Sequence, residues 1–440
     1  MRVAGVARLA LPFVVACSVF DPSIELSACE SHLDCYSIAS ADPFACWRCD
    51  KKQKGGTCVQ SGAPKRQKPI GSVPEGQQDL RLRAFDVGSA LLVVAEQEPL
   101  PGQAVARSFT TWVGKGATSG EPLLHGFQLS QLAVTRDEVE PFCLAVSHDG
   151  VGAKGNICFN ACADVCHAIC AGCDMPRKPS LAVGECDRDG QDCVKLAAFV
   201  DPDVRAYWSR SGDDVHSLDD VPKTLDPGCG PLALRVETDS GPRLLLVACD
   251  VEAPVPRVGV LTERAADFSL VFADGDDPRP GAGKLVAVAA AAATGSDAHG
   301  DFLLSWIVET PDHDELHVAE ARLAEQHVAP LQEVFVHELP HSMRRSLSVA
   351  FARHGPPTDF AEQGPGGWAV AYVGADMPMM LRVDRRGSEP ILQQLTDLSV
   401  EAADLVDFAV APQPPEGDGA SPFIYLGLTS TQVVSYQCSD

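Results

Sequence analysis

From Asp79 onward the chain repeats one hydrophobic arrangement at intervals of about 50 residues, an apolar run, a short polar turn and a second apolar run. The segments PFCLAVSHDGVGAKGNICF, VKLAAFVDPDVRAYWSR, RLLLVACDVEAPVPRVGVL, FLLSWIVETPDHDELHVAEARL, GWAVAYVGADMPMMLRVDRRG and PFIYLGLTSTQVVSYQC all carry it. ALLVVAEQ to SFTTWVG is a looser first copy. A further apolar run precedes most copies, as in LAVTRD, LAVGEC, PLALRV, KLVAVAAAAA, SLSVAF and DLVDFAV. These runs are short, bounded by polar turn residues and rich in Val, Leu and aromatics, which predicts strands rather than helices.

Three or four strands per unit, repeated seven times, predict an all-β chain built as a seven-bladed β-propeller, with six or eight blades as the neighbouring counts. A pair of β-sandwiches is the competing fold, and the sevenfold repetition disfavours it. The alanine-rich stretch 287–293 tests the reading, because alanine is the best helix former. Small residues also suit an innermost strand crowded at a propeller axis, and its place in the repeat matches that role. The architecture resembles that of other bacterial repeat lipoproteins, although no WD or kelch signature is present.

The amino terminus reads MRVAGVARLALPFVVACSVF, with two arginines ahead of a short apolar run, as an export signal does. The run is interrupted by Pro12 and falls short of the roughly 20 apolar residues of a spanning helix. Val14, Val15, Ala16 and Cys17 resemble the lipobox of bacterial lipoproteins. The resemblance implies cleavage after residue 16, lipidation of Cys17 and, with Ser18 following, sorting to the outer membrane, on its periplasmic or its outer side. An ordinary signal with Cys17 in a disulfide is the alternative. The expected organisation is a signal over 1–16, a lipidated cysteine-rich module over 17–60 and a linker over 61–78. The propeller-like domain then covers 79–440, with a cysteine-rich insertion at about 156–180.

Without Cys17, sixteen of the 17 cysteines remain, an even number that can pair completely in an oxidising compartment. The candidates are Cys29, Cys35, Cys46, Cys49, Cys58, Cys143, Cys158, Cys162, Cys166, Cys170, Cys173, Cys186, Cys193, Cys229, Cys249 and Cys438. The stretch CFNACADVCHAICAGC, residues 158–173, invites a metal reading, since thiolates and His167 are soft ligands. Export and the lack of matched CxxC pairs favour disulfides. Were the stretch helical, its four-residue spacing would put four cysteines in one stripe, with partners across from it among a local set of eight, Cys143 to Cys193. Cys229 and Cys249 flank one strand pair and are expected to bond each other. Cys438 is left for one of the five amino-terminal cysteines.

Charge narrows the partners. The formal net charge is −25, while residues 18–78 carry seven acidic and seven basic side chains, so the acidity belongs to the propeller. Such a field repels nucleic acid and anionic lipid, leaving a lipid anchor as the expected membrane contact and a cationic envelope or extracellular protein, or a glycan, as the expected partner. The basic cluster of Lys51, Lys52, Lys54, Lys65, Arg66 and Lys68 reads as solvated.

Several motifs imitate chemistry. Gly150, Gly152 and Gly155 match GxGxxG, but a hairpin rather than a βαβ unit surrounds them. HDELH, residues 313–317, has its glutamate misplaced for a zinc protease and falls where a hairpin turn is expected. Asp187, Asp189 and Asp192 in CDRDGQDC alternate about Gly190 as calcium-loop carboxylates do, but the loop lacks the distal glutamate of an EF-hand. The expectation is therefore no cofactor and no metal, with calcium at this loop as the alternative. No nucleophile elbow or P-loop occurs. Aligned acids near the inner strands would mark an enzyme, and those strands read as apolar. The sequence thus favours a non-catalytic, envelope-anchored binding or scaffold protein, against a propeller hydrolase or lyase with acids at its central channel.

Overall fold

The computed structural model describes residues 29, 35, 46–52, 55–62, 65–73, 80–86, 91–97, 108–113, 129–136, 141–148, 155–161, 167–174, 176–186, 193–210, 214–251, 253–264, 267–272, 283–294, 300–324, 327–341, 346–354, 364–374, 377–384, 391–394, 405–413 and 422–437. All its regular elements longer than a turn are strands, and they form antiparallel sheets. Among the described residues, no helix is long and apolar enough to cross a membrane.

Among the described residues, seven sheets of three to five strands follow one another along the chain. Their first strands are Leu80–Asp86, Leu129–Arg136, Arg177–Cys186, Leu232–Thr238, Lys284–Ala292, Leu347–His354 and Leu405–Pro412. Each packs beside the next, and the last packs beside the first, so the ring closes and the fold is a β-propeller. Numbering blades from Leu80, every copy of the repeat occupies the second and third strands of its blade. In the fifth these are Asp301–Glu309 and Asp314–Ala324.

Burial explains the sequence pattern. Second strands lie between neighbouring blades on both faces, so Phe423–Thr429 is buried at every position and Asp301–Glu309 at all but its ends. Such strands read as unbroken apolar runs. The apolar clusters lie between blades: Trp306, Leu304 and Val260 join the fourth and fifth, Trp368, Leu316 and Ile307 the fifth and sixth, and Leu82, Ile424 and Leu426 the seventh and first. The alanine stretch is strand, as Lys284–Ala292, and is largely half-buried where it faces the axis.

Polar side chains also tie first strands together. Ser180 Oγ accepts from Ala233 N at 2.7 Å, Ser348 Oγ donates to Val410 O at 3.3 Å, and buried Asp407 accepts from Leu82 N at 2.6 Å across the closing seam.

The structure corrects two expectations. Residues 61–78 are not only a linker: Lys65–Ser72 is a strand pairing with Gln432–Gln437, and it supplies the outermost strand of the seventh blade. The segment at 156–180 is not an insertion, because Gly155–Ala161 and His167–Cys173 are the third and fourth strands of the second blade. Of its cysteines, Cys158 lies on the third strand and Cys170 and Cys173 on the fourth.

The described disulfides are Cys29–Cys49, Cys35–Cys58, Cys170–Cys173, Cys186–Cys193 and Cys229–Cys249. Cys46, Cys143 and Cys158 are disulfide-bonded as well. The first two bridges cross-link a small unit built on the hairpin of Cys46–Asp50 and Thr57–Gly62. There Gly56 adopts φ 65°, and a Cβ would collide with Cys29 O, so only glycine fits.

Candidate functional site

In the third to fifth blades, the connections between second and third strands share one face of the ring with the link from the third blade to the fourth. On the third to fifth blades this face is built around the segment 218–231, which links the third blade to the fourth. Three prolines stiffen it, and the structure ties it down at several points. Cys229 is bonded to Cys249, Asp226 N donates to Cys249 O at 2.9 Å, and Val251 N donates to Thr224 O at 3.0 Å. Thr224 Oγ1 donates to Asp250 at 3.1 Å, while Lys284 Nζ lies 3.7 Å from Asp226. Lys178 reaches in from the first strand of the third blade and donates to Gly228 O. Its φ of 51° is the only left-handed value of a non-glycine residue among those described. Strain of this kind persists where surroundings over-determine the backbone.

The face is rich in carboxylates of two kinds. One set closes the second strands: Glu96, Asp201, Asp250 and Glu309 sit at or beside the ends of Leu91–Gln97, Cys193–Asp201, Gly241–Asp250 and Asp301–Glu309. Arg83 approaches Glu96 at 3.4 Å, Arg205 lies 4.0 Å from Asp201, and Arg257 pairs with the fully buried Asp250 side chain. Internal cations thus engage most of this set. The other set, Asp203, Asp219, Asp220 and Asp312, is exposed to solvent.

Arg83 belongs to the first strand of the first blade, and its Nη1 also donates to Pro179 O in the third blade at 2.9 Å. The axis is therefore not wholly apolar, as the sequence suggests. The looser first repeat hid this residue.

The fifth blade adds histidines. His341 donates through Nδ1 to buried Asp314 at 3.0 Å, and its Nε2 lies 3.2 Å from Pro311 O, so it braces the turn between the second and third strands. The hydrogen bond to Asp314 raises the His341 pKa, helped by the Pro311 carbonyl. Glu309, Asp314 and His341 place one donor atom each within 4.8 Å of one another. HDELH is not wholly a turn, as expected from sequence: His313 ends the turn, while Asp314–His317 begin the strand Asp314–Ala324. Glu315 then lies 3.0 Å from His313 Nε2 and 3.2 Å from His317 Nε2.

The remaining candidates fall as follows. Gly155 starts a strand paired with Pro141–His148, while Gly150 and Gly152 lie outside the described residues. Asp187, Asp189 and Asp192 also lie outside them, although the flanking Cys186 and Cys193 are bonded. So do Cys17, Cys162, Cys166 and Cys438. Within 158–173, Cys158, Cys170 and Cys173 are in disulfides and offer no thiolate to a metal. Sequence reasoning passed over Arg83, Lys178 and the carboxylates closing the second strands. The last had a visible signal in the recurring VVAEQ, FVD, ACD and IVE.

No family model matches the chain, and no curated protein matches it. Solved structures similar to it include the BP39L lectin from Burkholderia pseudomallei, at 13% identity and a TM-score of 0.44, covering 82% of this chain and 98% of that one. AofleA from Arthrobotrys oligospora is 12% identical with a TM-score of 0.40, over 74% and 88% of the two chains. The Aleuria aurantia lectin, described as a six-bladed β-propeller with a novel mode of fucose recognition, is 10% identical with a TM-score of 0.39, over 69% and 90%. These are likenesses of architecture only.

Proposed function

We propose that the chain is a non-catalytic binding propeller, tethered to the bacterial outer membrane through a lipidated Cys17, whose acidic loop face engages a cationic protein or a glycan of the envelope. The observation that carries the reading is the segment 218–231: a connection fixed by a disulfide, backbone hydrogen bonds and ion pairs holds Asp219 and Asp220 exposed on a rigid platform. Rigid presentation lowers the ordering cost of association. An exposed negative field steers cationic partners.

A hydrolase or lyase is the second reading, and Arg83 with Glu96 near the axis is the observation in its favour. Both groups are already engaged, however: Arg83 with Pro179 O as well as Glu96, and with the Phe85 ring 4.9 Å from its guanidinium. The test is a pull-down from envelope extracts with the chain from Ser18 onward, at low and high salt, beside a hydrolase substrate panel with and without calcium. Capture that weakens with salt, without turnover, is expected. Turnover lost on substituting Glu96 or Arg83 would transfer the protein to the enzymes.

A further inference from the structure

We infer that the Cys170–Cys173 bridge is a thiol–disulfide exchange site, which takes a low-molecular-weight thiol into a mixed disulfide at Cys170. The two cysteines close the shortest loop of the described bridges, at a sequence separation of 3 against 7, 20, 20 and 23. A bridge stabilises a fold chiefly by restricting the unfolded chain, and the restriction grows with the loop that it closes. Opening this one therefore takes less from the propeller than opening any other described bridge. It also lies on the strand His167–Cys173, the outermost of its blade, which pairs within its sheet with Gly155–Ala161 alone.

The two sulfurs are unequally placed. Cys173 is 4% exposed and packs with Leu181 and Phe199, whereas Cys170 is half-buried at the margin of that cluster. Ala171 and Gly172 between them are exposed. Gly172 has φ 72°, its N donates to Asn156 Oδ1 at 3.0 Å, and a Cβ placed on it would meet no atom within 4 Å. Open space thus lies over the loop, and an incoming thiolate reaches the Cys170 sulfur in preference to the buried one. Disulfides exposed in this way are the labile ones.

A carboxylate stands beside the pair. Asp201, 3% exposed at the end of Cys193–Asp201 in the next blade, places an oxygen within 4.8 Å of both sulfurs. In the exchange the incoming thiolate bonds to Cys170 Sγ, the bond between the two cysteines breaks, and its electron pair leaves on Cys173. Burial and the neighbouring negative charge both disfavour a thiolate there. Arg205, exposed and 4.0 Å from Asp201, offsets that charge only in part. Cys173 therefore takes up a proton, matching the one that the incoming thiol released, and no outside oxidant or reductant is consumed. A protonated Cys173 is a poor nucleophile, so the mixed disulfide lasts instead of reverting.

The test treats the purified, oxidised chain from Ser18 onward with glutathione, quenches samples with an alkylating reagent and maps the peptides. One glutathione should appear on Cys170 with Cys173 alkylated, while Cys186–Cys193 and Cys229–Cys249 stay closed and near-UV circular dichroism is unchanged. Cys170→Ser should abolish the adduct. After free glutathione is removed, Asp201→Asn should shorten the adduct's lifetime about threefold for each unit by which it lowers the Cys173 pKa, since more thiolate forms but each attacks more slowly. Arg205 is exposed, so Arg205→Ala reads the same charge without threatening the fold, and it should lengthen the lifetime. A chain that gains no glutathione on Cys170, exchange first at another bridge, or equal adduct lifetimes in wild type and both charge variants would overturn the assignment.

Discussion

Replacing Asp407 by alanine tests how the ring is closed. Its two oxygens accept from Leu82 N at 2.6 Å and Phe408 N at 2.8 Å, and the first of these bonds joins the seventh blade to the first. Leaving a buried donor unpaired costs about 1–3 kcal/mol, so two orphaned amides set a gross loss of about 2–6 kcal/mol. Against this runs relief from burying a carboxyl. Burial raises the Asp407 pKa, and the hydrogen bonds from Ser346, Leu82 and Phe408 and the charge of Arg81 only partly oppose it. The net loss should fall in the lower half of the range, about 2–3 kcal/mol. Because the folded pKa lies above the unfolded one, the stability this carboxyl contributes is fullest below the unfolded value near pH 4 and declines as pH rises through the folded value. The gap between wild type and variant should narrow over the same window. Amide hydrogen exchange at Leu82 reads the seam directly, and about 2–3 kcal/mol corresponds to exchange about 30–150-fold faster. Acceleration below about threefold, or a gap that widens with pH, would refute the reasoning.

Three further outcomes follow from named residues. His341 should titrate above the ordinary histidine value of 6.5, and Asp314→Asn should lower it toward that value; the stability of the 310–314 turn should be full below the ordinary value and fade as pH rises through the raised one, and an NMR titration unmoved by the substitution would contradict the contact. Peptide mapping of the oxidised chain should join Cys46 to Cys438, because Cys29, Cys35, Cys49 and Cys58 pair among themselves and Cys46 is bonded. Cys46 linked to the middle cluster would count against it. Detergent phase partitioning should move the precursor-derived protein out of the aqueous phase only when Cys17 is intact, and equal partitioning of Cys17→Ser would remove the lipid anchor from the account.

How much of this was legible depends on where each strand sits. Second strands such as Phe423–Thr429 face apolar neighbours on both sides, so burial writes them into the sequence as continuous hydrophobic runs, and the repeat follows from them. The alanines of Lys284–Ala292 were readable as strand only through their place in that repeat, since alanine by itself favours a helix. Outermost strands leave a fainter trace. Lys65–Ser72, KRQKPIGS, pairs along one edge alone and lies far from its partner in sequence, so its polar composition reads as a linker. Gly155–Ala161 and His167–Cys173 were obscured by cysteines, whose spacing suits a helix face and a strand face alike. HDELH was tested against a helical pattern, whereas the strand period places Glu315 and His317 on one face. Lys178 and Arg83 act through contacts with other blades, which no local pattern encodes.

The account of function stands on the exposed carboxylates of the loop face. Its most direct test is the salt dependence of binding between the chain from Ser18 onward and its captured partner, compared with a variant carrying Asp219→Asn, Asp220→Asn and Asp312→Asn. Wild-type affinity should fall steeply as ionic strength passes about 0.15 M, where the screening length is about 8 Å, and the variant should bind more weakly with a shallower slope. Equal affinity and equal slopes for the two proteins would contradict the acidic face as the binding surface.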